Sequence, residues 1–265
     1  MRRTARLILA AIFVLMLGAD AFAPHPYQQQ FREETAAAPS RAHPLGTDAV
    51  GRDRWSRLLH GGRISILLAP AAALVSVVIA LAVGLGAALL GPWWQRAAMA
   101  AIDLFLSLPW LFLLLAARGL LPLNTSPALS IAVTFGLLGC LGWPGPARVM
   151  IAAAESQSRS DYALLARSGG FGTWRIAVRH ILPNLAPVAR AQFWTTAPAF
   201  LLTEANLALL GLGVSEPMPS WGNLLRELQN LAALPRDPAM AVPLLLLVVT
   251  LSCCQLAQTA DEYSV

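Results

Sequence analysis

Two carboxylates, Asp103 and Glu204, stand in stretches of sequence that are otherwise strongly apolar. An ionised carboxylate at the centre of a bilayer costs about 2.5–3.5 kcal/mol on insertion scales, so such a group faces water or a partner. Asp103 and Glu204 are therefore candidates for a translocation path or its gate. For Glu204 a second reading stands beside the first, a buried residue paired with an arginine or a helix end. Asp103 lies nearer the start of its run, within reach of the headgroups. Covalent and metal chemistry finds less support. Cys140, Cys253 and Cys254 have no ligand spacing and read as small apolar packing residues, and His180 has no second ligand near it in sequence. No histidine falls inside an apolar run, which leaves a membrane protease without its base, and there is no channel selectivity motif. All 19 basic residues are arginine. A phosphate-binding P-loop needs a lysine, so the chain does not hydrolyse ATP by that route and reads as non-catalytic.

These carboxylates must be positioned by membrane helices. Of the 265 residues 57% are hydrophobic and 12% charged, about half the charge of a soluble globule. Ile64 to Leu90 is a run of 27 residues without a charge, where about 20 helical residues cross the hydrocarbon. In lipid every backbone amide must be satisfied within its own segment, and barrel strands would alternate over about ten residues, so the fold class is an all-α membrane protein. Six spans are expected near residues 7–23, 64–90, 97–117, 127–149, 187–212 and 239–258, which places both termini on one side. Arg2, Arg3 and Arg6 favour a cytoplasmic N-terminus, although the same segment also suits a cleavable signal peptide. The full tally, ten arginines inside and nine outside, does not settle topology. Residues 24–63 are rich in proline, glutamine and charge. Within them Trp55, Leu58 and Leu59 oppose Arg54 and Arg57, the pattern of a helix lying in the interface. Trp93 and Trp94 suit the headgroup layer. The net charge of +5 reads as complementarity to a membrane surface, since the aromatic and basic pattern of a nucleic-acid module is lacking.

Between the fourth and fifth spans lies a polar interlude, Asp161 to Asn184. Tyr162, Ala163, Leu164, Leu165 and Ala166 can pack on one side of a short helix, with Asp161 and Arg167 in water. Gly169-Gly170 permits a sharp change of direction. A second helix is expected from about Thr173 to Ile181, with Trp174, Ile176, Ala177 and Val178 among Arg175, Arg179 and His180. Pro183 and Pro187 then open the fifth span, where a missing N–H is tolerated. The result is a basic protrusion with incomplete apolar contacts, suited to docking; a solvated connector with Gly170 as a plain helix stop is the alternative.

The interlude resembles the loop that characterises permease subunits of binding-protein-dependent ABC importers, with Gly170, Ile176 and Pro183 in the family's frame. The subfamily resemblance is to the second (C-type) subunit of dipeptide, oligopeptide and nickel permeases. It rests on ordered blocks: His43-Pro44-Leu45-Gly46-Thr47-Asp48 with Gly51-Arg52-Asp53, Ser56-Arg57-Leu58-Leu59 and Gly62-Arg63-Ile64-Ser65; Arg179 to Asn184; Glu204-Ala205 with Leu210 to Val214; and Pro219-Ser220-Trp221-Gly222-Asn223. There are departures. Leu164 and Leu165 stand where the family has its acid and first alanine, Ile151 replaces a second arginine after Arg148, and Cys254, Ala257-Gln258 and Asp261 replace the usual tail.

The resemblance implies a type I importer fold, with residues 1–63 forming an N-terminal helix plus external segment and residues 64–260 the permease core. It makes Tyr162, Ala166, Arg167, Gly170, Ile176, His180, Pro183 and Asn184 the loop that enters a cytoplasmic ATPase, and Gly46, Thr47, Asp48, Gly51, Arg52 and Asp53 the motif before the second span. It implies a homologous second permease, two ABC ATPases and an extracytoplasmic binding protein as partners, in a bacterial inner membrane with both termini cytoplasmic. No cofactor or metal is expected on this chain; ATP and Mg belong to the ATPases. Short peptides are the expected cargo, with nickel or another metal chelate as the alternative. A rival of another class, an ion-coupled secondary transporter using the intramembrane acids as a relay, lacks the paired half-helices of such carriers.

Overall fold

The computed structural model describes residues 2–119, 126–230, 234–235 and 237–258; Asp261 and the rest of the tail lie outside the described residues. Helix is the dominant element throughout. In chain order the helices are α1 (Arg2–Leu17), α2 (Ala19–Phe22), α3 (Arg54–Leu90), α4 (Pro92–Ser107), α5 (Trp110–Gly119), α6 (Pro127–Leu141), α7 (Pro144–Ser158), α8 (Asp161–Ser168), α9 (Thr173–Ile176), α10 (Leu182–Leu209), α11 (Trp221–Leu225) and α12 (Val242–Gln258).

Among the described residues three stretches are long and apolar enough to cross a membrane: Arg54–Leu90, Pro127–Ser158 and Pro238–Gln258. They correspond to the second, fourth and sixth expected spans. The other three take different forms. The first is α1, which gives way to the short α2 at Gly18. The third is divided into α4 and α5, because the residue before a proline is pushed from helical to extended backbone; Leu108, before Pro109, has ψ 133°. The fifth is α10, which is 28 residues long but carries Arg190 and Glu204. At about 1.5 Å per residue the 37 residues of α3 reach well past a hydrocarbon layer of about 30 Å. The pattern read as a separate interfacial helix is the beginning of this one. Leu58 and Leu59 are buried there, and so are Arg54 and Arg57.

Contacts divide the chain into two compact units, one of Met1–Ala69, Leu120–Phe135 and Pro198–Val265, the other of Pro70–Gly119 and Gly136–Ala197. In the first unit α1 runs along α12, and α11 packs on the turn Pro238–Ala241. Residues 24–53 fold onto the start of α3. In the second unit α4 packs on α7, around a core of Val77, Ala80, Ile102, Ala147, Met150 and Ile151. A second cluster joins Ala154, Ala163, Ala166, Ile176, Ile181 and Leu185. It seats the polar interlude on the last turns of α7 and the first turns of α10.

Candidate functional site

The interlude forms an elbow within the second unit. Helix α8 ends in a double hydrogen-bonded reversal: Phe171 N–H donates to the Ala166 carbonyl at 3.1 Å, and Gly170 N–H to the Arg167 carbonyl at 3.0 Å. This geometry needs one left-handed residue just past the helix, and Gly170 supplies it at φ 80°. The expected second helix is present over Thr173 to Ile181, opening as the α-helical turn α9. The chain then widens into a π-turn, Ala177–Ile181, and runs without a break into α10. Pro183 accounts for the widening, because its ring has no N–H and would collide with the carbonyl four residues earlier in a regular helix.

The elbow's inner face is small. Ala163, Ala166 and Ile176 are buried. Its outer face is large and apolar, with Leu165 71% and Trp174 67% exposed beside Leu164, Phe171 and Val178. Arg167, Arg175 and Arg179 are exposed around it, and the Arg175 guanidinium lies 5.0 Å from the Phe171 ring centre. Asp161 is the single acid of the segment. Tyr162, Asn184 and His180 meet: Asn184 Nδ2 donates to Tyr162 Oη at 3.2 Å and to the His180 carbonyl at 2.6 Å. The eight residues expected to act as one loop thus share one elbow.

The two carboxylates separate. Asp103 pairs with Arg148 of α7, with side chains 63% and 46% exposed. Glu204 is fully buried in the first unit. Its Oε1 accepts from Ser220 Oγ at 2.7 Å and its Oε2 from Ser65 Oγ at 3.5 Å, and the Gly222 N–H also bonds to it. Glu204 is thus buried with hydroxyls and a helix start as its partners, and among the described residues no arginine is bonded to it. Ser65 also accepts from Trp221 N at 3.2 Å, and Trp221 Nε1 donates to the Leu58 carbonyl at 3.3 Å. A Cβ at Gly222 would come within 2.8 Å of Glu204 Oε1 and 2.7 Å of Ala208 Cβ, so the short side keeps the clasp closed. Sequence reasoning placed these residues in three separate motif blocks; their convergence on one carboxylate is visible only in the fold.

The motif before the second span is a folded anchor. Asp53 caps α3, its Oδ2 accepting from Ser56 N at 2.7 Å and Ser56 Oγ at 2.6 Å, while its Oδ1 meets His43 Nδ1 at 2.9 Å. Thr47 Oγ1 accepts from Ala37 N at 2.9 Å and donates to the Glu34 carbonyl. Gly46 and Gly51 both have positive φ, and a Cβ at Gly51 would sit 2.2 Å from the Phe31 carbonyl oxygen. Asp48 holds Arg52 Nε at 2.7 Å, and Arg52 Nη1 reaches Glu216 at 2.6 Å. Burial opposes the Arg52 charge, but Asp48 and Glu216 outweigh it and hold the guanidinium above its ordinary pKa. Arg57 is buried and binds both oxygens of Glu216, at 2.9 and 3.1 Å. Arg54 binds Glu227 at 2.9 Å and also Asp237. Burial drives the Glu227 carboxyl up, against the pull of Arg54. Asp53→Ala removes a helix cap, typically about 0.5–2 kcal/mol, and leaves the buried His43 ring short of a partner. The detergent-solubilised variant is expected to melt several degrees below the parent in a fluorescence-detected thermal scan.

Among the described residues no group of three His, Cys, Asp or Glu side chains is placed to hold a metal ion.

Comparison with known proteins follows the same lines. Residues 79–260 match the family described as binding-protein-dependent transport system inner membrane component. A Brucella suis protein provisionally named a peptide permease is 33% identical over 202 residues, 76% of this chain, and the chain spans 65% of that protein's length. The oligopeptide transport system permease protein OppC of Escherichia coli K12 is 32% identical over 93% of this chain and 80% of its own. OppC of Haemophilus influenzae is 31% identical over 93% and 78%.

Proposed function

Because the chain belongs to the binding-protein-dependent transport system inner membrane component family, we propose that it is a membrane-spanning permease subunit of an ATP-driven importer of short peptides. The observation that carries this reading is the elbow, a folded turn whose exposed surface is Leu164, Leu165, Phe171 and Trp174 ringed by three arginines. A water-facing turn of that kind fits a protein cleft with an apolar floor and an acidic rim. The partner is a cytoplasmic ATPase of the ABC type, two copies of which serve this chain and a homologous permease; an extracytoplasmic binding protein delivers the cargo. ATP and Mg are held by the ATPases. Closure of that pair shifts the permease between inward-open and outward-open states, which requires that the docked ATPase bind those states unequally. The peptide names of the relatives support peptides over a nickel chelate.

In this reading the chain crosses a bacterial inner membrane six times, with α1, α3, α4 plus α5, α6 plus α7, α10 and α12 as the spans and with both termini and the elbow in the cytoplasm. Residues 1–63 form the first span and an external cap, and residues 64–260 form the core. Asp103 lies about 16 Å along α4 from its first residue. An exposed ion pair at that depth faces water or a partner, not lipid, so Asp103 and Arg148 mark the side of α4 and α7 turned to the path or to the second permease. Asp103→Ala, which leaves Arg148 without its carboxylate, is expected to cut peptide uptake several-fold at unchanged membrane levels. Uptake and an immunoblot of the same cells check this.

The deciding experiment is affinity purification of the tagged chain from its own host in mild detergent, with thiol labelling of a cysteine placed at Ser168. A stoichiometric ABC ATPase and labelling only after the membrane is opened to the cytoplasmic side are expected. An extracytoplasmic elbow, or peptide transport by the purified chain alone, would falsify the reading.

A further inference from the structure

The elbow is joined to its supporting helices in two different ways. Its apolar seat consists of Ala163 and Ala166 on Ala154, Ile176, Ile181 and Leu185, contacts that resist separation but, being non-directional, offer little against sliding. Directional bonds are needed to fix rotation, and one side chain of α8 makes them to both α7 and α10. A phenol can donate once and accept as well, and Tyr162 does both: its hydroxyl donates to Gln157 Oε1 at the end of α7 and accepts from Asn184 Nδ2 at 3.2 Å at the start of α10. Asn184 also ties the π-turn through the His180 carbonyl at 2.6 Å. The Tyr162 ring is rigid and lies 6.2 Å from the His180 ring. Two residues before Gln157 on α7, Glu155 receives Gln95 Nε2 of α4 at 2.8 Å and Arg159 Nη2 at 2.6 Å.

We propose that the Tyr162 hydroxyl is the pin of the elbow, a positioning group that locks α8 to both the helix before it and the helix after it, so that a push on the elbow moves α7 and α10 together. The proposal rests on the elbow being the docking element. Its chemistry is independent of the cargo: without the hydroxyl, Gln157 and Asn184 lose their common partner, and displacement of α8 is absorbed in the joint.

The test uses the full chain in nanodiscs, with Cys140, Cys253 and Cys254 replaced by serine and nitroxides attached through Ser156→Cys on α7 and Ala186→Cys on α10. One narrow distance distribution is expected with Tyr162, and a broadened distribution with Tyr162→Phe. Gln157→Ala should broaden it equally, and the double variant no further, because all three remove one bonded unit. In proteoliposomes with the homologous permease, the ATPases, the binding protein and radiolabelled trialanine, Tyr162→Phe should raise ATP consumed per peptide about fivefold, the size of one net hydrogen bond. An unchanged distribution or an unchanged ratio in Tyr162→Phe overturns the pin, as does additive broadening in the double variant. If no ATPase accompanies the parent chain the docking reading falls instead, and the distance measurement still reads the joint.

Discussion

Glu204→Ala is expected to remove most of the folded protein from the membrane, while Glu204→Gln leaves both protein and uptake near normal. The carboxylate is fully buried and serves three donors, the hydroxyls of Ser220 and Ser65 and the N–H of Gly222. Alanine leaves all three facing a void. A buried donor without an acceptor costs about 1–3 kcal/mol, and the hydroxyls can turn elsewhere but the backbone N–H cannot. Since native folds stand only about 5–15 kcal/mol above their unfolded states, the sum is a large fraction of what is available. The damage should spread, because Ser65 also accepts from Trp221 N and Ser220 also caps α11 by accepting from Asn223 N at 3.1 Å. Glutamine keeps an oxygen for Ser220 and Gly222, and its amide N–H can bond Ser65 Oγ. Size-exclusion profiles of detergent extracts together with peptide uptake check both variants. A glutamine variant present at parental level but unable to transport would return Glu204 to the gate.

The apolar runs made α3 and α12 legible, because twenty or more residues without charge admit one explanation in lipid. The same reasoning passed over Leu108-Pro109, where one extended residue divides a span into α4 and α5. A window that weighs hydropathy alone does not see a backbone constraint. The elbow was legible in its first helix, its glycine break and its exposed arginines, since these depend on local chemistry. Its second helix was legible in extent, Thr173 to Ile181, but not in form, because joining α9 through a π-turn to α10 follows from Pro183 acting on the carbonyls before it. Arg54 and Arg57 looked like the polar face of an interfacial helix. They are buried because Glu216, Glu227 and Asp237, more than 150 positions later in the chain, fold back to meet them. Long-range pairing of that kind leaves no periodic signal. The same holds for the clasp: Ser65, Glu204 and Ser220 were recognised as parts of motifs, yet nothing in their spacing says that one carboxylate joins them.

Gly170→Val is expected to uncouple the transporter while the chain still inserts and binds its ATPase weakly. Gly170 sits at φ 80°, and an added Cβ would meet nothing within 4 Å, so crowding is not the cause of the effect. The cost is conformational: a side chain in the left-handed region is disfavoured by about 1–2 kcal/mol, and a β-branched one by more. The chain escapes by giving up the reversal, which releases the hydrogen bonds from Gly170 to Arg167 and from Phe171 to Ala166. Phe171 and Trp174, exposed past the reversal, then shift relative to Leu165, and the apolar surface that the proposed docking would use is split. Asparagine tolerates the left-handed conformation far better than valine, whereas alanine shares valine's strain to a lesser degree. The expected order of uptake per ATP hydrolysed is therefore Gly, Asn, Ala, Val, with valine lowest by at least about tenfold for 1.4 kcal/mol or more lost at the joint. The series separates backbone geometry from bulk, since asparagine is larger than alanine and should nonetheless couple better. Uptake that fell with side-chain volume, asparagine below alanine, would mean that the partner presses directly on this position and that the reversal is not what it recognises.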